Sequence, residues 1–474
     1  MEVEVVGGGL AGCEAAWQLA QRGHDVTLTE MRPVRPTPAH QTDRLAELVC
    51  TNSLKSEDPS NAHGLLKREM RTLGSLLLTV ADETSVAAGS ALAVDRDAFS
   101  QRMSEAVGSH PRIRLVRREV TALPDGHAVM ATGPLTSEAL TSSIASFLGD
   151  DGLAFFDSIA PIVHVDSIDT SIAFYASRHG RNAGDGEPAG AGAGAGVEPD
   201  AGVGPDPAQA GDYLNCPLDR EEYYALVEAV RTAEVYPGHD WENVPYFEGC
   251  LPIEVMVARG ADTLRFGPMR PIGLIDPRTG RRPWAVLQLR REDRGGQMWN
   301  MVGFQTRMRT GEQRRVLRMI PGLAGAEFLR YGSIHRNTYL TFPARLAPYG
   351  APQGRPDLIF AGQLTGVEGY TESAASGILA GINLDRVVRG AAAAVPPATT
   401  MIGALYRYLR EADPKDFQPM NSNFGLLEPL PEHVRDKKRK RERMAERAAV
   451  ALGTWMTGAG VEAVEVPVTA GVAS

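Results

Sequence analysis

The first thirty residues constrain this chain more than any other part of it. Val3, Val5 and Val6 make a short apolar run, and Gly7-Gly8-Gly9 closes it. Ala11 to Gln21 has helical spacing, Gly23 stops it, and Asp25 to Glu30 reads as a second strand. Strand, glycine turn, helix and strand in that order predict a parallel βαβ unit. Gly7-x-Gly9-x-x-Gly12 opens the helix, and Glu30 ends the next strand. Each residue has a physical task. Gly7 permits the tight turn, Gly9 lets the backbone approach a pyrophosphate, and Gly12 lets helix and strand pack closely. The helix start offers unpaired N–H groups to phosphates. Glu30 can accept hydrogen bonds from both ribose hydroxyls. The whole predicts a dinucleotide site; the bland alternative is a Gly-rich surface turn.

Two later segments favour FAD over NAD. Ala131-Thr132-Gly133-Pro134 ends a strand, as in a flavoprotein crossover that returns toward the dinucleotide. Asp357 to Ala361 forms another strand, followed by Gly362-Gln363, by Gly366-Val367-Glu368-Gly369-Tyr370 and by a helix whose start can face the flavin. The expected class is α/β: a Rossmann-type FAD-binding domain of the glutathione-reductase kind, an inserted smaller α/β domain and a C-terminal helical segment. Residues 1–150 form the first part of the FAD domain, and 151–345 the inserted substrate domain. Residues 346–457 form the return part with C-terminal helices, and 458–474 a tail. A Gly/Ala/Pro-rich stretch, 181–211, reads as a surface insertion that cannot bury a core.

Other elements are expected as follows. Residues 31–60 read as a long polar loop, Leu65 to Leu78 as one helix, and Met401 onward as helical. Asp219, with Glu222 three residues later, predicts a capping box at a helix start.

Composition enters through what it excludes. At 43% hydrophobic and 23% charged residues, the chain has apolar surface for a large core. No stretch approaches the roughly 18 consecutive apolar residues of a membrane span, and no signal peptide is expected before the first strand. The four cysteines form neither a disulfide framework nor a zinc pattern. A cytoplasmic location, no metal and no dedicated protein partner are therefore expected. A net charge of −9 speaks at first against nucleic acid, but it hides an uneven distribution. Arg259 to Arg345 hold 17 arginines against 6 acids, a net +11, which leaves −20 elsewhere. Arg435 to Arg447 hold 8 basic and 3 acidic residues. Phosphates respond to local charge, so the central segment, including Arg314 and Arg315, is the expected face for any nucleic-acid partner and the later run a second candidate.

Cys13 and Cys250 read as small core residues. Cys50 lies in a polar loop near Lys55, which can favour its thiolate. Cys216 lies just before the Asp219 helix, whose positive end can do the same. From local sequence, each of these two is as well a plain thiol as a reactive one.

The chain closely resembles the bacterial folate- and FAD-dependent tRNA (uracil-5-)-methyltransferases, the TrmFO/Gid family. The resemblance rests on ordered segments over nearly the whole chain. They include Gly7-Gly8-Gly9-Leu10-Ala11-Gly12-Cys13, Glu30-Met31-Arg32-Pro33, Leu48-Val49-Cys50-Thr51-Asn52-Ser53, Tyr213-Leu214-Asn215-Cys216-Pro217, Gly362-Gln363-Leu364-Thr365-Gly366 and Phe417-Gln418-Pro419-Met420-Asn421. It implies 5-methyluridine formation at position 54 in the tRNA T-loop. The carbon would come from 5,10-methylenetetrahydrofolate, and the reducing equivalents from FADH2 regenerated by NADH or NADPH. Uracil C5 is a poor nucleophile, and a thiolate adding at C6 makes it an enolate that can attack a methylene carbon. A base then removes the C5 proton. The resemblance implies Cys50 and Cys216 for these roles, Cys50 as nucleophile and Cys216 as base or acid. It implies Gly7, Gly8, Gly9, Leu10, Ala11, Gly12, Glu30, Gly133, Gly362, Gln363 and Gly369 around FAD. Gln288 to Arg291 are candidate folate contacts, since folate carboxylates want cations. The alternatives are an FAD-dependent wobble-uridine modifier, a non-catalytic FAD-containing tRNA-binding protein and a simple NAD(P)H oxidoreductase.

Overall fold

A computed structural model describes residues 1–149, 153–158, 160–178, 211–236, 251–293, 296–332, 334–414, 417 and 419–466. Most of the insertion (all but Gly211), Cys250 and the end of the tail lie outside the described residues.

Five parallel strands form the first sheet, in the order Leu358–Phe360, Ala128–Met130, Glu2–Val6, Asp25–Glu30, Ile113–Arg117. The edge strand comes from late in the chain, and Leu358 pairs with Ala128 in register. Val5, Leu28, Val129 and Ile359 are fully buried, as strands covered on both faces require. Helix Leu10–Gln21 packs on this sheet and against helix Tyr370–Val388. The two helices approach closely because Gly377 lies on the Ala11 backbone, where any Cβ would overlap it. The α/β, Rossmann-type class expected from the sequence is the one observed.

A second core surrounds a six-stranded antiparallel sheet in the order Phe174–Tyr175, Tyr213–Leu218, Ala285–Arg291, Met298–Met301, Ile162–His164, Phe328–Arg330. One face carries Leu214, Cys216, Leu287 and Leu289 into an apolar cluster with Tyr223, Leu226 and Trp299. The other face carries Asn215, Gln288 and Arg290, all buried. The capping box at Asp219 and Glu222 is present and starts helix Arg220–Thr232.

Three local expectations fail for physical reasons. Leu65 to Leu78 is two helices, Ala62–Thr72 and Leu76–Glu83. Gly74, at φ +78°, breaks the run, and Ser75 caps the second helix. The 31–60 loop contains a strand, Ser53–Ser56, that pairs with Ala91–Val94. The C-terminal region has two helices, Met401–Glu411 and Lys437–Ala459, separated by a non-helical stretch. Beyond the second helix, Val461 is buried and Arg22 donates to the Glu462 carbonyl at 2.9 Å, so the start of the tail packs on the first core.

Candidate functional site

A cavity lies at the carboxyl ends of the parallel strands and encloses about 1020 Å³ including its open mouth. Gly7, Gly9, Leu10, Ala11, Glu30, Gly133, Gly362 and Gln363 all line it. Gly8, Gly12 and Gly369 do not; each supports the wall from behind. Gly8 N–H donates to Glu30 Oε2 at 2.7 Å. A Cβ on Gly12 would overlap the Gly7 carbonyl, and one on Gly369 would overlap the Glu372 carboxylate. Gly7 sits at φ +104° with its Cα against the Ala131 carbonyl.

Gly9 is the reverse case, since a Cβ there would meet nothing within 4 Å. The space it faces is the cavity. Helix Leu10–Gln21 has no side chain capping its first N–H groups. Helix Tyr370–Val388 likewise has none, and its Tyr370 and Ser373 line the same cavity. Two uncapped helix starts on one cavity provide unpaired donors and partial positive charge for a pyrophosphate.

Glu30 is held more firmly than the sequence suggests. Its Oε1 accepts from Arg32 N at 3.0 Å and Arg32 Nε at 2.9 Å. Burial alone would raise its carboxyl, but the Arg32 charge and the hydrogen bonds from Arg32 and Gly8 hold it below the ordinary range. Arg32 also reaches Glu47 at 3.2 Å, and Glu47 accepts from Gln41 and Thr42 N–H groups. This network folds residues 31–48 over the cavity. Sequence reasoning missed Arg32 and Glu47 as site residues; the only signal for Arg32 was its place in a matched segment.

Cys50 directly follows Val49 of the cavity wall. Tyr370 OH accepts from Cys50 N at 2.8 Å and Thr51 N at 3.2 Å, while Val49 lines the wall. Burial, then the Cys50 thiol, push the Tyr370 phenol up, and Arg96 pulls it down. Arg96 donates to the Leu48 carbonyl at 2.8 Å and pairs with Glu292 at 2.7 Å. Arg96 and Arg330 both lie within electrostatic reach of Cys50. Lys55 acts on the Glu372 carboxyl, which it helps to lower.

The loop is also tied to the second core. Arg290 Nε donates to Asn52 Oδ1 at 2.9 Å and Arg290 NH2 to Thr51 Oγ1 at 2.5 Å. Asn52 Nδ2 donates to the Arg291 carbonyl at 3.0 Å. Arg290, expected among folate contacts, is therefore occupied in joining the two cores. Gln288 is likewise engaged, donating to Asn215 Oδ1 at 3.0 Å.

Cys216 is elsewhere. Its side chain is on the apolar face of the antiparallel sheet, opposite to Asn215 and Arg290, and is fully buried. Burial pushes its thiol up to about 12. The expected help from the following helix does not offset this burial. Cys13 is a buried core residue, as expected, and its Sγ donates to the Gly8 carbonyl. The structure thus brings Cys50 to the cavity with the dinucleotide residues, and not Cys216.

The central arginines divide into two groups. Arg290 is buried, Arg265 and Arg318 are half-buried, and Arg330 donates to the Ala39 carbonyl. Arg259, Arg270, Arg278, Arg281, Arg282, Arg309, Arg314 and Arg315 are exposed. In the later run, Lys437 to Arg443 are all exposed at the start of their helix. No helix among the described residues is long and apolar enough to cross a membrane.

Comparison with known proteins adds the family. The family described as glucose inhibited division protein A matches residues 2–186 and 201–392. The methylenetetrahydrofolate–tRNA-(uracil-5-)-methyltransferase TrmFO of Geobacter sulfurreducens is 53% identical, covering 96% of this chain and 98% of its own. The proteins of the same name from Anoxybacillus flavithermus and Rhizorhabdus wittichii are each 50% identical, over 94% and 97% of this chain and 98% and 99% of theirs. Among solved structures, Aquifex aeolicus GidA superposes with a TM-score of 0.66 at 17% identity, covering 96% of this chain and 73% of that one, a likeness of fold.

Proposed function

This chain belongs to the methylenetetrahydrofolate–tRNA-(uracil-5-)-methyltransferase (TrmFO) family, and from that premise we propose that it methylates C5 of a tRNA uridine with methylenetetrahydrofolate as carbon donor. The target is the T-loop uridine 54, the site of action is the cytoplasm, and NADH or NADPH is the reductant. The observation that carries this reading is the joining of Cys50 to the dinucleotide cavity through Tyr370.

The cavity fits FAD on its own geometry: an open cradle at Gly9, two uncapped helix starts and an anionic Glu30. Gly7, Gly9, Leu10 and Ala11 would hold the pyrophosphate, Glu30 a ribose, and Gly133, Gly362 and Gln363 the rest of the group. When bound, FAD supplies the hydride that completes the methyl group.

Cys50 is the proposed nucleophile. Its sulfur forms a bond to uracil C6, and the C5–C6 π electrons become an enolate that forms the C5–carbon bond to the methylene donor. That bond forms as one methylene–nitrogen bond of the folate breaks; departure of the C5 proton expels the second folate nitrogen and leaves an exocyclic methylene, and hydride arriving at that carbon lets the C6–sulfur bond break and restores the ring. Cys216 enters this reading as the proton-transfer thiol through the resemblance and not through the geometry, which buries it.

Separate Cys50→Ala and Cys216→Ala variants test the assignment. Nucleoside mass spectrometry of tRNA treated with each holoenzyme should show no 5-methyluridine at position 54. Full activity in either variant removes that residue from the mechanism. The alternative readings, wobble-uridine modification and binding without catalysis, find less support, since the relatives of about 50% identity carry the uracil-5 name.

A further inference from the structure

The antiparallel sheet has two ends. At one, Arg290 grips Thr51 and Asn52 beside Cys50. At the other, strand Ala285–Arg291 begins next to Trp284. From Trp284 to Arg290 the strand runs about 20 Å at roughly 3.3 Å per residue.

Trp284 is the base of a cationic stack. The Arg265 guanidinium lies 3.8 Å from its ring centroid, and Arg265 Nε donates to the Trp284 carbonyl at 3.1 Å. Arg220 approaches the same ring at 5.5 Å. Beside Arg265, Phe266 is 73% exposed, the most exposed phenylalanine among the described residues. Its ring lies 5.5 Å from the Arg265 guanidinium. Leaving so large an apolar ring in water forgoes burial that a chain with a large second core could supply.

Exposed arginines follow Phe266 along the chain, while the helix that carries Arg220 to Trp284 begins with the exposed acids Asp219, Glu221 and Glu222. Arg270, Arg281 and Arg282 are exposed. The acids of this segment are engaged: Asp276 pairs with Arg278 at 2.7 Å, and Asp262 accepts from Tyr224 OH at 3.0 Å. Arg270 and Arg178 lie close enough for their charges to oppose each other, and Arg178 Nε is buried without a hydrogen-bond partner. Neither has an acid partner among the described residues. A phosphate would relieve both.

We propose that Phe266, with Arg265 stacked on Trp284 beside it and the exposed Arg270, Arg281 and Arg282 on the same stretch of chain, is a second tRNA contact that stacks an unpaired base other than the reacting uridine. An aromatic face supplies sequence-tolerant stacking, and the arginines supply phosphate contacts. Its distance from Cys50 makes it an anchor outside the catalytic centre. The proposal rests on tRNA being the substrate, as argued above.

The test compares tRNA binding and methylation by FAD-loaded holoenzyme for the native chain, Phe266→Ala, Phe266→Trp and the pair Arg281→Glu, Arg282→Glu, using unmodified tRNA transcript. Phe266→Ala should weaken binding about tenfold, and Phe266→Trp should restore it. KM for tRNA should rise with kcat at saturating tRNA unchanged. The charge reversals should reduce the slope of log affinity against log salt by about 1–2. Unchanged affinity in Phe266→Ala, with tRNA binding by the native chain intact, overturns this inference alone. Failure of the native chain to bind tRNA overturns the substrate reading itself. A loss in both Phe266→Ala and Phe266→Trp, with a matching fall in flavin content, would show a structural role and also overturn the inference.

Discussion

Asn52 and Arg290, 238 residues apart in sequence, meet where the two cores join: Arg290 Nε donates to Asn52 Oδ1 at 2.9 Å. Both side chains are buried. The pair sets the position of the loop that carries Cys50, because Asn52 also donates to the Val94 carbonyl at 2.9 Å and to the Arg291 carbonyl. Asn52→Ala leaves these groups unpaired, at a cost of about 1–3 kcal/mol. A displaced Cys50 loop should lower kcat/KM for tRNA about ten- to a hundredfold, while flavin absorbance at saturating FAD stays normal. Steady-state kinetics beside a flavin spectrum checks this. Native kinetics would remove the loop-positioning role.

The glycines of the first turn should separate folding from cofactor binding. Gly9→Ala adds a methyl where no atom lies within 4 Å. That protein should fold with a native circular dichroism spectrum and purify without flavin. Gly12→Ala drives a methyl into the Gly7 carbonyl. It should be destabilised by about 1–3 kcal/mol or more, seen as a lower thermal midpoint even with excess FAD. Equal flavin content in Gly9→Ala and the native chain would contradict the pyrophosphate placement.

Two buried carboxyls make stability depend on pH. Burial pushes Glu14 and Glu69 each up to about 7, from an ordinary value of 4.5. Between these values the folded chain holds protons that the unfolded chain releases. The contribution is complete below about 4.5 and is lost as pH rises through about 7. Glu14 accepts from Ser75 and from the Leu76 and Leu77 N–H groups. Denaturant midpoints at pH 5 and pH 8 should therefore differ less in Glu14→Gln than in the native chain. An equal difference in both would contradict the shift.

Arg314 and Arg315 are exposed on helix Thr310–Leu317, and Arg315 pairs with Glu312 at 2.6 Å. Charge reversal of both should weaken tRNA binding and reduce its salt slope by about 1–2, with flavin content intact. Filter binding across salt concentrations measures this. An unchanged slope would return this helix face to ordinary solvated surface.

The first 30 residues were legible because their tasks are local: a glycine where the backbone turns, another where a helix touches a strand, an acid at a strand end. Leu358–Phe360 was legible for the same reason, as a short apolar strand closed by Gly362. Charge averaged over the whole chain was misleading, since the sum hides a central segment whose exposed arginines carry a local positive excess. What stayed hidden depends on distant partners. Nothing near Arg96 announces Glu292, 196 residues away, and nothing near Tyr370 announces Cys50. The surroundings of Cys216 were not legible, because a helix start two residues beyond a strand says nothing about which sheet face a side chain takes. Its register opposite Leu287 puts it in the apolar cluster.

The most direct measurement of the central claim follows one carbon atom. Purified holoenzyme is given unmodified tRNA, NADPH and methylenetetrahydrofolate labelled at the methylene carbon, in parallel with methyl-labelled S-adenosylmethionine. The account predicts label in 5-methyluridine of the tRNA from the folate alone. Label entering only from S-adenosylmethionine, or from neither donor, would contradict it.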